Sequence, residues 1–117
     1  MTISEVIALL DAEVIQDELD GGTLNDAELT GAYTSDLLSD VMANAKEGGV
    51  LITIQAHKNT VAVATLVNIS LIVVCNSRPI PEDMLSAARD ERIAIIRTRE
   101  NQFTISGKLY EFMKTVR

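Results

Sequence analysis

Apolar residues follow two rhythms along this chain, and the switches between them mark out its elements. Ile3, Val6, Ile7 and Leu10 recur on one helical face. Thr2 and Glu5 stand at capping-box spacing, so each can satisfy a free N–H of the first turn. Ala12–Gln16 reads as a short strand. Residues 17–35 are weakly patterned: Gly21-Gly22 and Asn25-Asp26 are turn signals, and Leu29–Thr34 suits another short strand. Ser35 or Thr34 stands where a helix cap belongs, with Asp36 in the first turn against the positive helix end. Leu37, Leu38, Val41, Met42 and Ala45 form that helix's stripe, and Gly48-Gly49 stops it after Lys46.

From residue 50 the pattern becomes regular. Val50–Gln55 is a β-branched strand, Asn59–Asn68 a nearly all-apolar helix, and Ser70–Cys75 a continuous apolar strand. Pro81–Asp90 is a helix with Pro in the first position and Glu82 and Asp83 behind it. Ile93–Ile96 is another buried strand. Asn101–Thr115 is a final helix, with Phe103, Tyr110 and Met113 on one face. Strands without alternation, separated by helices of about ten residues, indicate an α/β fold: a mostly parallel sheet with helices on both faces. Right-handed crossovers would join the strands. No linker, internal repeat or low-complexity tract interrupts the 117 residues, so one domain over 1–117 is expected.

Composition narrows the picture. Hydrophobic residues make up 47% but aromatics only 3%, so the core is aliphatic and suits two layers around a sheet. Residues 1–40 carry ten of the seventeen acids and no Lys or Arg; the rest of the chain nets +3. Nucleic acid attracts clustered positive charge, so it is not an expected partner. The apolar runs Val61–Val67 and Leu71–Cys75 are far short of the ~20 residues that span a bilayer. The first residues lack the basic stretch of a signal peptide. With Cys75 alone, no internal disulfide can form, and a cytoplasmic location is expected.

In a parallel sheet all strand C-terminal ends share one edge, and ligands of open α/β sheets bind there. The residues after the three regular strands are Gln55 to Thr60, then Cys75 to Arg78, then Arg97 to Glu100. This edge holds the only histidine and four of the ten Lys and Arg residues. The candidate ligand-binding set is Thr53, Gln55, His57, Lys58, Asn59, Thr60, Asn76, Ser77 and Arg78. Backbone N–H groups, a helix N-terminus, Lys58 and Arg78 could hold an anion. The same residues also suit plain wet loops: Asn59 or Thr60 can cap a helix, and Asn76-Ser77-Arg78-Pro79 can form a turn.

Several chemistries have no seat. There is no GxxxxGK[ST] phosphate cradle, no GxGxxG and no GxSxG elbow. One His and one Cys cannot build a metal cage, and Asp36 and Asp40 read as a solvated face. No cofactor, metal or catalytic residue is expected.

The stretch Gly31–Tyr110 resembles the DRTGG domain family, which shares its fold with the N-terminal domain of HPr kinase/phosphorylase. It is most similar to small stand-alone bacterial proteins often labelled HPr serine kinases. The resemblance lies in Gly31-Ala32-Tyr33 running into Asp36–Val41, in Leu51–Asn59, in Leu71–Cys75 and in Ile80-Pro81-Glu82-Asp83. The signature itself differs. His57-Lys58-Asn59-Thr60 stands where the family has Asp-Arg-Thr, and Cys75-Asn76-Ser77 where it has Thr-Gly-Gly. In HPr kinase a separate P-loop domain transfers the phosphoryl group, so the resemblance implies an accessory module and not a kinase. Such modules sit beside CBS domains and contribute to dimerisation or regulation.

Three functions follow as expectations. The first is a regulatory, homodimeric module that binds a small anionic ligand or a partner protein at the strand-end edge. The second is an interaction subunit of a larger complex, docked through its acidic half or an apolar helix face. The third is an enzyme using His57. The apolar Val61–Val67 helix is either enclosed within the chain or packed against a second copy.

Overall fold

A computed structural model describes residues 1–19, 22–23 and 28–115. The elements in chain order are α1 (Ile3–Leu10), β1 (Glu13–Gln16), β2 (Glu18–Leu19), β3 (Gly22–Thr23), β4 (Ala32–Thr34), α2 (Leu38–Asn44), β5 (Val50–Thr53), α3 (Lys58–Leu66), β6 (Leu71–Val74), α4 (Glu82–Glu91), β7 (Ala94–Arg97) and α5 (Gln102–Thr115). Five strands form one sheet in the order β1-β7-β6-β5-β4, while β2 and β3 make a separate antiparallel pair.

The core strands β5, β6 and β7 are buried on both faces because both carry aliphatic side chains. Leu51, Ile72, Val74 and Ile95 face one layer; Val50, Ile52, Leu71, Val73 and Ile96 face the other. β4 through β7 run parallel, and β1 adds to β7 antiparallel with an irregularity between Val14 and Gln16. The sheet is thus α/β and mostly parallel. The crossover helices α2, α3 and α4 cover one face, and α1 and α5 cover the other. No helix among the described residues is long and apolar enough to cross a membrane.

Several boundaries differ from the sequence expectation, each for a local reason. The capping box on α1 forms, with Thr2 N donating to Glu5 Oε1 (2.9 Å) and Glu5 N to Thr2 Oγ1 (3.2 Å). The cap expected at Ser35 does not. Ser35 Oγ accepts from Leu37 N (3.1 Å), closing a turn, and α2 starts one residue after Leu37 without a side-chain cap. Leu37 and Met42 are exposed, and only Val41 of the expected stripe is fully buried. Gly48 does not end α2, which stops at Asn44; it forms a turn ahead of β5 at φ 76°. Pro81 precedes the first turn of α4 as its cap residue. The strand expected over Leu29–Thr34 is confined to Ala32–Thr34, because Leu29 leaves the ladder and packs into the core. α3 ends at Leu66, and its all-apolar run is split: Val61, Val63 and Ala64 are buried, Ala62 and Leu66 exposed. Gly22 opens β3; Gly21 and Asn25-Asp26 lie outside the described residues.

Gly49 sits where two backbones cross in front of β5. A Cβ there would lie 3.0 Å from Gly31 O and 3.1 Å from Lys46 O. Neither is a flexible side-chain end, so the turn itself must shift. Gly49→Ala is expected to destabilise the fold by roughly 1–3 kcal/mol. Urea denaturation read by circular dichroism checks this; an unchanged midpoint would contradict the close approach.

Candidate functional site

The four parallel strands end side by side, and their last residues determine how the chain leaves. Three exit through a hydroxyl turn. Ser35 Oγ accepts from Leu37 N, Thr53 Oγ1 from Gln55 N (3.0 Å) and Thr98 Oγ1 from Glu100 N (3.1 Å). A hydroxyl two residues before a free N–H supplies the acceptor that the lost ladder no longer gives. The fourth strand, β6, exits through Asn76 (φ 61°) and Ser77 (φ 49°), both left-handed. Their N–H groups donate to Glu100 O (3.0 Å) and Thr98 O (2.9 Å), which ties the β6–α4 loop to the β7–α5 loop. Positive φ is the conformation that glycine adopts without steric cost, yet neither residue is glycine.

Asp36 organises the β5 side. Its Oδ1 accepts from Thr53 Oγ1 (3.2 Å) and Ile54 N (3.1 Å). Its carbonyl accepts from Gln55 Nε2 (3.2 Å), and its Oδ2 from Gln102 Nε2 (3.4 Å) on α5. Gln102 Oε1 is buried without a partner among the described residues. The sequence pattern assigns Asp36 to a helix first turn and gives no sign of this role.

The nine candidate residues all lie on this edge, from the last residue of β5 to the first turn of α3 and in the β6–α4 connection, but they divide in kind. Thr53 and Thr60 are fully buried, and Thr60 Oγ1 donates to Gln55 O (2.8 Å). These two hydroxyls brace the loop. Gln55, His57, Lys58, Asn59, Asn76, Ser77 and Arg78 are exposed. His57 caps α3, its Nδ1 accepting from Asn59 N (3.0 Å), so in the neutral ring the proton sits on Nε2. No hydroxyl, thiol or carboxylate among the described residues hydrogen-bonds to that Nε2. The side chains of Lys58, Arg78 and Arg99 have no hydrogen-bond or ion-pair partner among the described residues.

Toward β1 the edge deepens into a polar cleft of about 300 Å³ lined by Ser77, Arg97, Thr98, Arg99, Glu100 and Lys108, among others. Its charges are largely paired. Arg97 Nη2 meets Glu13 at 2.9 Å and 3.1 Å, and Lys108 Nζ meets Glu100 at 2.7 Å. Arg97 Nη1 also donates to Arg78 O (3.3 Å), holding the base of the Arg78 loop. Sequence reasoning collected Arg97 to Glu100 on the edge but could not foresee this cleft, because Glu13 reaches it only through the antiparallel β1.

Cys75 ends β6 and is fully buried. Burial, with a smaller contribution from the Asp36 carboxylate, pushes its thiol up to about 11 from the usual 9.0. It is therefore a packed thiol and not a nucleophile. Among the described residues no group of three or more His, Cys, Asp or Glu side chains is placed to hold a metal ion.

No family model and no curated protein matches the chain. Among solved structures it is similar to the CBS and DRTGG domains of the regulatory region of Clostridium perfringens pyrophosphatase, solved with the activator diadenosine tetraphosphate. The TM-score is 0.73 at 16% sequence identity, over 92% of this chain and 45% of that one. The chain therefore spans less than half of that structure's length, and at this identity the likeness is one of fold.

Asp36→Ala would strand a buried hydroxyl and an N–H. A loss of roughly 1–3 kcal/mol is expected, with faster amide exchange at Ile54 than in the rest of β5. Unchanged exchange at Ile54 would remove Asp36 from this role. Cys75 should resist labelling by a thiol reagent at pH 8 in the native state and react at once in urea. Because its folded pKa lies above its unfolded one, the thiol's contribution to stability is full below about pH 9 and falls as pH rises toward 11. A Cys75→Ala variant should lose that part of the alkaline slope, measured by denaturation across this range.

Proposed function

We propose that this chain is a non-catalytic regulatory module of the cytoplasm, that it binds a small anionic ligand at the strand C-terminal edge, and that it works as a homodimer. The observation that carries the ligand site is the division of labour along the edge. Groups that could do chemistry are tied to the scaffold: Thr53, Thr60 and Asp36 by hydrogen bonds, Cys75 by burial. The cations Lys58, Arg78 and Arg99 are left exposed at the ends of three successive strands, without carboxylate partners among the described residues. Lys58 opens the nine-residue helix α3, whose positive end adds to the field although Asn59 N and Thr60 N are taken up by His57. Cations without partners beside the positive end of a helix suit a phosphate or carboxylate.

The fold likeness supports this reading, since the similar regulatory region was solved with a polyphosphate dinucleotide activator. The resemblance to DRTGG domains, whose fold is that of the HPr kinase N-terminal domain, points the same way. With no P-loop in the sequence, phosphoryl transfer has no seat on this chain.

The test is a thermal-shift and calorimetric titration with orthophosphate, AMP, ATP and diadenosine tetraphosphate. At least one anion should raise the melting midpoint, and Lys58→Gln or Arg78→Gln should each weaken its binding by about tenfold or more. His57→Gln should change affinity without abolishing it. Binding that ignores all three substitutions would move the site elsewhere. If no anion binds and a pull-down returns one stoichiometric protein, the interaction-subunit reading replaces this one.

A further inference from the structure

We infer that the polar cleft between the end of α1 and the β7–α5 loop is a second ligand site, built for a small neutral zwitterion: a free α-amino acid with a polar side chain. This goes beyond the anion site proposed above, with which the cleft shares only Arg99 among the exposed cations; neither Lys58 nor Arg78 lines it.

The cleft holds about 300 Å³ and is lined by three cations, Arg97, Arg99 and Lys108, and by three carboxylates, Asp11, Glu13 and Glu100. Two of each are paired with one another. Arg97 Nη2 donates to both oxygens of Glu13 (2.9 Å and 3.1 Å), and Lys108 Nζ donates to Glu100 Oε2 (2.7 Å). One carboxylate and one guanidinium are left over. Asp11 and Arg99 are both exposed, and neither side chain has a hydrogen-bond or ion-pair partner among the described residues. They line the same cleft without meeting each other. A cleft of balanced charge, with one charge of each sign left open, is complementary to a ligand that carries one charge of each sign. A simple anion would satisfy Arg99 and leave Asp11 without a partner; a simple cation would do the reverse. A metal ion fits no better, since no group of three or more His, Cys, Asp or Glu side chains among the described residues is placed to hold one.

Asp11 gives the second observation. It is the C-cap of the eight-residue helix α1, whose last turn holds no basic residue. The C-terminal end of a helix is negative, so a carboxylate is disfavoured there and an ammonium group favoured. The backbone of Asp11 is left-handed at φ 49°, where asparagine or glycine is the usual choice. Asparagine has the same shape as aspartate and would meet both preferences. The charge at this position therefore works against the helix, and nothing among the described residues offsets it. A local rule broken without structural gain marks a functional position. An ammonium group bound beside Asp11 at the end of α1 supplies the missing offset.

At the other side, Arg99 presents a planar fork that suits a carboxylate. The loop that carries it is braced: Thr98 N donates to Val74 O (3.0 Å), Ser77 N to Thr98 O (2.9 Å) and Glu100 N to Thr98 Oγ1 (3.1 Å). Leu10 is the single apolar residue of the lining, and Ser77 adds a hydroxyl, so the ligand's own side chain is small and polar. The volume lies at the small end for ligand sites, as an amino acid requires.

Isothermal calorimetry of the full chain with L-serine, L-threonine, L-asparagine and L-glutamine tests this. At least one should bind. Its decarboxylated and deaminated analogues (for serine, ethanolamine and 3-hydroxypropionate) should each bind about tenfold or more weakly, as should the amino acid to Asp11→Asn and to Arg99→Gln. Asp11→Asn carries a control that a structural role would fail: its melting midpoint without ligand should be unchanged or higher, because asparagine suits the left-handed cap and removes the charge from the negative helix end. No binding of any of the four at millimolar concentration overturns the inference. So does binding that ignores both substitutions, a deaminated analogue that binds as well as its amino acid, or a lower midpoint in Asp11→Asn. Asp11 lies outside the anion edge and the titrations contain no phosphate or nucleotide, so the outcome stands apart from that of the anion site.

Discussion

Where β5 leaves the sheet, the Asp36 carboxylate accepts from a buried hydroxyl and from the first N–H beyond the ladder. A parallel strand that stops inside a close-packed layer leaves such groups short of partners, and unpaired they cost more than any single contact near them returns. Asp36 resolves this from the neighbouring strand. Through its carbonyl and Oδ2 it also engages Gln55 and, across the sheet edge, Gln102. One side chain therefore fixes the end of β5, the start of the loop to α3 and the entry of α5. The loop that presents His57 and Lys58 takes its path from that point.

The rest of the edge obeys the same constraint by cheaper means. Ser35, Thr53 and Thr98 each close their own exit turn, and β6 leaves through two left-handed residues whose N–H groups reach the next loop. The result is a rim whose Thr53, Thr60 and Thr98 side chains are buried and whose Lys58, Arg78 and Arg99 side chains are exposed. That rim also explains the asymmetry of the two faces. α2, α3 and α4 are crossovers held between strands, so their apolar sides are fixed by the sheet. α5 follows the last strand and returns across the opposite layer with α1, beside the short edge strand β4. Its outer side is the one place where large aromatic residues stand uncovered.

How far the sequence discloses this depends on whether the deciding contact is local. β5, β6 and β7 are legible because a run such as Leu71–Val74 has no polar face, and only a sheet covered twice can hide it. The α1 capping box is legible because its partners are three residues apart. The reading of Ser35-Asp36 as a helix start goes astray for a physical reason: a serine that caps a helix and one that closes a turn both accept an N–H two or three residues on. What separates them is the Asp36–Thr53 contact, 17 residues away, and the Gln102 contact, 66 residues away. The α5 stripe shows the complementary limit. Phe103 and Tyr110 share a face by spacing, and so do Ile105 and Leu109; periodicity defines both faces and does not say which one turns inward. The direction of β1 is hidden in the same way, and with it the Glu13–Arg97 pair that shapes the polar cleft.

The loop after β6 shows what such a rim allows. Asn76 and Ser77 hold left-handed φ values, although a Cβ is disfavoured there and only asparagine offsets it partly. Hydrogen bonds to Glu100 O and Thr98 O over-determine the turn, so its path survives without glycine. The side chains gained at those positions are polar and exposed, as are those of His57-Lys58-Asn59 on the next loop. Backbone path and displayed chemistry are therefore separable on this edge. The path is set by strand ends and their acceptors, which are buried. The chemistry is set by residues that touch little else. Under the proposed function, a ligand for this chain is chosen by Lys58, Arg78 and their exposed neighbours, and not by an Asp-Arg-Thr signature that the chain does not carry.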